Sequence, residues 1–376
     1  MSGAAASGPA GSGDGGGSPS GGSGGGSGPR TPDPASEARL EGLREEARRR
    51  GRVEAEGVDV EGGPVPAGAP TGWRPPADGE GPGYHGLPIV KPPVWTWEVA
   101  AYLFVGGLAG MAAVVAAAVA WFGGDWALLR AAAWTAAGGS LLSALLLVAD
   151  LGRPLRFLNM LRVFKWRSPM SVGAWTLTLF GGASTGTVLV VEWGLRSAAG
   201  PPQVPLLALV SAAALAGAVL ATYTGVLVGA TAIPAWFTHR RTLPVHFGVI
   251  ALGSAACFLE LAGFRTPELH ALGLAAAAAE TVMGLLFETW RNGAADRALR
   301  EGRSGAMLRA SGVLAGPGSL GLRLAGWVPA AAAVFLAGAA VSRYAWLQAG
   351  RASGVDPEAT LAAQGVGSAG EGGGSP

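Results

Sequence analysis

Residues 149–175 read ADLGRPLRFLNMLRVFKWRSPMSVGAW. One apolar run leads into this stretch and another leaves it, yet between them stand one acid, five basic side chains, two prolines and four aromatics. Gly152 and Pro154 stop the preceding helix, because proline cannot continue the hydrogen-bond ladder. Ser168 and Pro169 read as a helix start, with serine as N-cap and proline in the first turn. The segment between them alternates arginines with aromatic and aliphatic residues. It is expected to lie flat at a membrane interface, apolar face down and guanidinium groups up. Such a loop serves as a headgroup anchor, a docking surface for an acidic partner, or a lid over whatever lies beneath it.

The flanking runs decide the fold. The chain has 376 residues, 49% hydrophobic and 14% charged, with a mean hydropathy of +0.36, outside the range of soluble globular proteins. About 20 apolar residues cross a bilayer as a helix. Seven runs meet that length, roughly 97–122, 127–149, 171–193, 204–230, 245–263, 267–289 and 325–347. They are rich in Ala and Leu without alternation, and a spanning helix satisfies its own backbone. The fold expected is all-α, a polytopic transmembrane helix bundle of seven spans with an eighth left open. The open segment is 304–324, which contains Arg309, Pro317, Arg323 and five glycines. The cost of central charge favours a helix or loop lying at the interface there.

Three regions follow from composition: a disordered Gly/Ser/Pro-rich tail over 1–92, a transmembrane helical domain over 93–350, and a disordered tail over 351–376. The first tail carries one charged patch, SEARLEGLREEARRRGRVEAE, suited to a short soluble helix. Its first residues lack the basic start and apolar core of a signal peptide, so it is expected to be retained. A net charge of +2, with the basic residues not gathered on a soluble domain, sets nucleic-acid binding aside. The single cysteine, Cys257, lies in an apolar run and reads as a small buried residue. One thiol cannot build a disulfide, a thiolate iron-sulfur cluster or a multi-cysteine zinc site, and no metal site is expected.

Side A denotes the side of the N-terminal tail. With seven spans, its loops (91–96, 150–170, 231–244 and 290–324) hold fourteen Lys and Arg residues, against Arg130, Arg196, Arg265, Arg343 and Arg351 on side B. The positive-inside rule then makes side A, and the tail, cytoplasmic in a multi-pass cell-membrane protein.

Ionisable groups inside spans are costly and mark function by default. Glu98 and Tyr102 share a helix face near side A. Asp150 ends the second span, Tyr223 lies in the side A half of the fourth, His246 opens the fifth and Glu288 closes the sixth. Their common depth predicts one polar layer beneath the basic loops. Glu280 lies near mid-membrane, where a protonated or proton-relaying carboxyl is expected. Glu192 and Glu260, towards side B, are expected to be solvated. A membrane haem needs two histidines facing each other at one depth, and His85, His239, His246 and His270 offer no such pair.

The stretch DLGRPLRFLNMLRVFKWRSPMSVGAW resembles the signature of the NrfD-type membrane subunit of polysulfide reductase-like complexes. WTWEVAAYLFVGGLAG, residues 95–110, looks like that family's first helix, and TYTGVLVGATAIPAW like its fourth; the similarity covers about 93–357. The resemblance implies an integral subunit that reacts with quinone and carries no haem or iron-sulfur centre. Its partners would be an iron-sulfur electron-transfer subunit and a molybdopterin catalytic subunit. It also implies a pocket for menaquinone or ubiquinone near the signature loop, with Tyr102 in contact, Tyr223 as the fourth-helix aromatic, and Asp150 and Arg153 in the motif. Val99 stands where some members are polar, and the family usually has eight spans.

The expected mechanism has Tyr102, Tyr223, Arg153 and His246 around the quinone. Glu98, Asp150, Glu280 and Glu288 would move protons, and Arg156, Arg162, Lys165 and Arg167 would dock the electron-transfer partner. The subunit is not expected to act alone. The rival readings are a secondary transporter and a purely structural anchor.

Overall fold

Each apolar run becomes a helix, because in lipid only a helix or a closed barrel pairs every backbone group. The structure, a computed structural model, describes residues 90, 95–150, 159–197, 200–289 and 293–363. The expected tail lies outside the described residues but for Val90, as do Arg153, Arg156 and residues 364–376. Among the described residues there is no strand. Seven helices are long and apolar enough to cross a membrane: α1 (Trp97–Phe122), α2 (Trp126–Asp150), α3 (Pro169–Arg196), α4 (Gln203–Gly229), α6 (Leu243–Leu261), α7 (Pro267–Thr289) and α11 (Val328–Gly354). A short α5 (Pro234–Thr238) precedes α6. Between α7 and α11 come α8 (Arg297–Arg300), α9 (Gly302–Val313), a π-helical turn (Leu314–Gly318) and α10 (Ser319–Leu324).

Local signals act as read. Ser168 caps α3 by accepting from Ser171 N, with Pro169 at its start. Small residues set the helix contacts: α1 and α4 touch at Gly110 and Gly217, where a Cβ on either glycine would overlap the other's backbone carbonyl.

The segment 302–324 does not lie at the interface. It begins on side A, where Arg309 donates to the Arg300 carbonyl. Midway, Gly316 packs on Thr281 of α7. It ends on side B, where the buried Arg323 pairs with Glu260 at the end of α6. Its 23 residues reach about 34 Å at helical rise, enough to cross the hydrocarbon. It is the eighth crossing, broken where Gly316 takes φ −88° and ψ −108° beside Pro317. The charge that argued against it is neutralised: Glu260, expected to be solvated, is buried with Arg323, and both carboxylate oxygens are used. At the side B turn Gly326 has φ 81°, which lets the chain reverse into α11.

The extra crossing reverses α11. Its end packs on side A, where Trp236 Nε1 donates to the Trp346 carbonyl at 2.8 Å and Ser353 Oγ accepts from Ala235 N at 3.3 Å. Arg351 therefore belongs to side A, Arg323 to side B, and Arg343 is buried within the bundle rather than in a side B loop. Order also continues past 350. Helix α11 runs to Gly354 and α12 spans Pro357–Ala363, tied back by Arg297 to Asp356 and Glu358 at 3.3 and 2.7 Å. Glu192 pairs with Arg130.

Candidate functional site

At the side A end of α1, Thr96 has the extended backbone of a cap, but its hydroxyl makes no cap bond. It is directed instead at two carboxylates, Glu98 and Asp150, the latter at 3.1 Å. One hydroxyl thus links the start of α1 to the end of α2. One turn deeper, Tyr102 is 4% exposed, beside Gly106 and Ser143. Among the described residues the buried Ser143 Oγ and Trp175 Nε1 lack a partner. Tyr223, 6% exposed, donates its hydroxyl to the Pro169 carbonyl. Gly173 makes the room, since a Cβ there would fall on the tyrosine ring.

A second polar group lies in the other half of the bundle. His246 Nδ1 is 3.3 Å from Glu280 Oε1, and His246 Nε2 is 3.4 Å from Ser342 Oγ. His246 is 6% and Glu280 2% exposed, and neither of the two facing atoms has a well-aligned hydrogen bond. Above them His239 Nε2 meets Asp296 Oδ1 at 3.1 Å, both buried. The rings of His239, His246, Phe287 and Trp346 pack edge to face or tilted, with centroids 5.4–6.1 Å apart. These groups wall a cavity of about 280 Å³ between α7, α9 and α11, whose remaining lining is mainly aliphatic and whose side A rim carries Glu288, Arg300 and Arg309. Close by, Arg343 donates to the Phe247 carbonyl at 2.8 Å, with its guanidinium carbon 3.7 Å over the Phe247 ring. Among the described residues its Nε and one terminal nitrogen have no partner.

The single polar layer therefore resolves into two groups. Glu98, Asp150, Tyr102 and Tyr223 gather in the half built by α1 to α4. His246, Glu280 and Glu288 line the cavity, whose walls include, among the described residues, none before His239. One apolar cluster, with Trp236, Phe247 and Leu347, takes in Tyr102 of the first group and Trp346 beside the second. Equal depth along a helix does not say which helices are neighbours. His239, Asp296, Ser342 and Arg343 were missed as members of the second group. The signal for Arg343 was a lone arginine in an apolar run, readable only once the eighth crossing reversed α11.

Of the signature loop, Arg162, Lys165 and Arg167 are exposed, together with Val163, Phe164 and Trp166. Arg167 stacks over the Trp166 ring at 4.7 Å. Phe164 meets Trp175 edge on, and Ser171 Oγ accepts from Lys165 N at 3.0 Å, which fastens the loop to α3.

Seven long apolar helices and the broken segment 302–324, with buried acids, tyrosines and histidines among them, define a polytopic helical membrane protein. The family model for polysulphide reductase, NrfD, matches residues 89–288, from the entrance of α1 almost to the end of α7, and the chain belongs to the NrfD family. A comparison with curated proteins finds no match. The membership makes this a membrane subunit of the polysulphide reductase type.

Proposed function

We propose that the chain exchanges reducing equivalents between a membrane quinone and a docked iron-sulfur subunit, which in turn serves a molybdopterin enzyme. The observation that carries this reading is the Tyr102 group. The buried Tyr102 side chain stands beside the buried Ser143 Oγ, which has no partner among the described residues, one turn below the Glu98–Thr96–Asp150 link, in a protein of the NrfD family. Unpaired buried donors are costly, so a ligand that accepts from them is favoured there. Such a set fits a quinone head group, and a quinone when bound supplies two-electron, two-proton chemistry.

Tyr102 donates a hydrogen bond to a carbonyl oxygen of the ligand and stabilises charge that develops on it. Tyr223, held by Pro169, walls the site and keeps α3 against α4. Glu98 and Asp150, joined by Thr96 at the aqueous end, pass protons to and from side A. Arg162, Lys165 and Arg167 present charge to an acidic partner, and the neighbouring exposed apolar side chains supply contact area. Side A is read as cytoplasmic from its excess of arginine. The test is Tyr102→Phe in the assembled complex. Quinone turnover is expected to fall about a hundredfold with assembly intact, whereas unchanged turnover would leave the chain a passive anchor.

A secondary transporter is the second reading. It is favoured by the broken crossing at Gly316–Pro317, since transporters bind substrate at discontinuous helices. Solute uptake by vesicles holding only the purified chain would support it, because a redox subunit alone moves no solute.

A further inference from the structure

The cavity beside His246 and Glu280 is separate from the Tyr102 group, and its opening is informative. At its floor α7 and the broken crossing are in contact, because a Cβ on Gly316 would lie 3.0 Å from Thr281 N. Towards side A the same two elements leave a seam. Among the described residues nothing lies within 4 Å of a Cβ placed on Gly284 or on Gly312, which face the cavity from α7 and α9. Leu285 and Val313 line the cavity and are also 63% and 58% exposed on the outer surface of the bundle. At that depth the outer surface meets lipid. The cavity is therefore entered sideways from the hydrocarbon, and the side A rim carries charge.

At the inner end stand two polar side chains, each more than nine-tenths buried, whose facing atoms lack a well-aligned partner. Around them are the faces and edges of Phe287 and Trp346. A ligand that matches this arrangement has a flat ring with hydrogen-bonding oxygens and an apolar tail left in the membrane. An acyl chain alone would offer His246 Nδ1 and Glu280 Oε1 no hydrogen bond beyond their own 3.3 Å contact. The volume of about 280 Å³ admits a ring but not a long tail, consistent with the tail leaving through the seam.

We propose that this cavity is a second quinone-class site, with the ring against His246 and Glu280 and the tail leaving between Gly284 and Gly312 into lipid. The proposal rests on the quinone-reactive reading above, and the two fail differently.

The probe is a short-tailed azidoquinone, photolysed with the full complex in membranes, followed by peptide mapping. Cross-links are expected on α1–α3 near Tyr102 and, separately, on α7 and α9 around Gly284 and Gly312. Gly312→Trp, which fills the seam, is expected to cut the second set about tenfold, equivalent to about 1.4 kcal/mol of binding, and to spare the first. Leu285→Trp blocks the same seam from an exposed position if Gly312→Trp does not fold. Labelling near Tyr102 alone overturns the second site and leaves the proposed function standing. Seam labelling that excess quinone does not compete, and that an azido-phospholipid reproduces, makes the cavity a lipid site and also overturns it. Labelling at neither place removes both readings.

Discussion

Arg323 donates to both carboxylate oxygens of Glu260, at 2.9 and 2.6 Å, across 63 positions of chain. The pair is buried, the arginine also reaches Cys257 Sγ at 3.1 Å, and His270 Nδ1 flanks it at 3.5 Å. Gly273 permits the approach, because a Cβ there would overlap the guanidinium. The pairing holds the end of the eighth crossing at side B, where the chain turns into α11.

Removing one partner strands the other charge in the bundle. Glu260→Gln or Arg323→Gln is expected to cost about 3–5 kcal/mol, read as a fall in the unfolding midpoint of the detergent-solubilised protein. Replacing both by Leu and Met is expected to cost much less, since the burial penalty disappears with the charges. Equal losses for the single and double changes would show that the pair is not the cause.

Cys257 is the only cysteine and is buried, so single-cysteine variants can be mapped against a quiet background. Cysteines at Gly302 and Leu361 are expected to react with a membrane-impermeant maleimide from the same side as one at Arg167. A cysteine at Gly326 is expected to react from the opposite side. A seven-span chain would place 326 with 302 and 361 apart from both.

Gly110→Ala drives a methyl into the Gly217 carbonyl at the α1–α4 crossing and is expected to cost about 2 kcal/mol or more. Gly138→Ala, where a Cβ meets nothing within 4 Å, is expected to be neutral or to stabilise α2 by about 0.5–1 kcal/mol. Thermal unfolding of the two variants side by side separates packing from helix propensity.

Replacing Arg162, Lys165 and Arg167 together by Glu is expected to leave the chain folded and inserted, because all three are exposed. Retention of the soluble subunits on washed membranes is expected to fall. The wild-type attachment itself should weaken as ionic strength rises and the Debye length drops from about 10 Å at 0.1 M towards 3 Å at 1 M. Salt-insensitive attachment of the triple variant would remove this face as the dock.

Much of the architecture was legible before the structure. Length and apolarity identified α1–α4, α6, α7 and α11, and Ser168–Pro169 marked the start of α3, because those signals are local to a few turns of chain. The resemblance to the NrfD signature agreed with the family match over 89–288. The eighth crossing was misread because Arg323 and five glycines look prohibitive until the partner carboxylate is in view. The split of the polar layer was hidden for a related reason: Tyr102 and His246 share a depth, but the helix packing that separates them is a relation between distant segments.

Hydrophobic length and turn chemistry are properties of consecutive residues, so the sequence by itself determined a lipid-embedded helical bundle with a basic, aromatic loop at one face. Which helices are neighbours, which buried charges find partners, and where a seam is left open depend on contacts between residues far apart in the chain. Only the tertiary structure decided that Arg323 meets Glu260, that α11 returns to side A, and that His246 and Glu280 wall a cavity of their own.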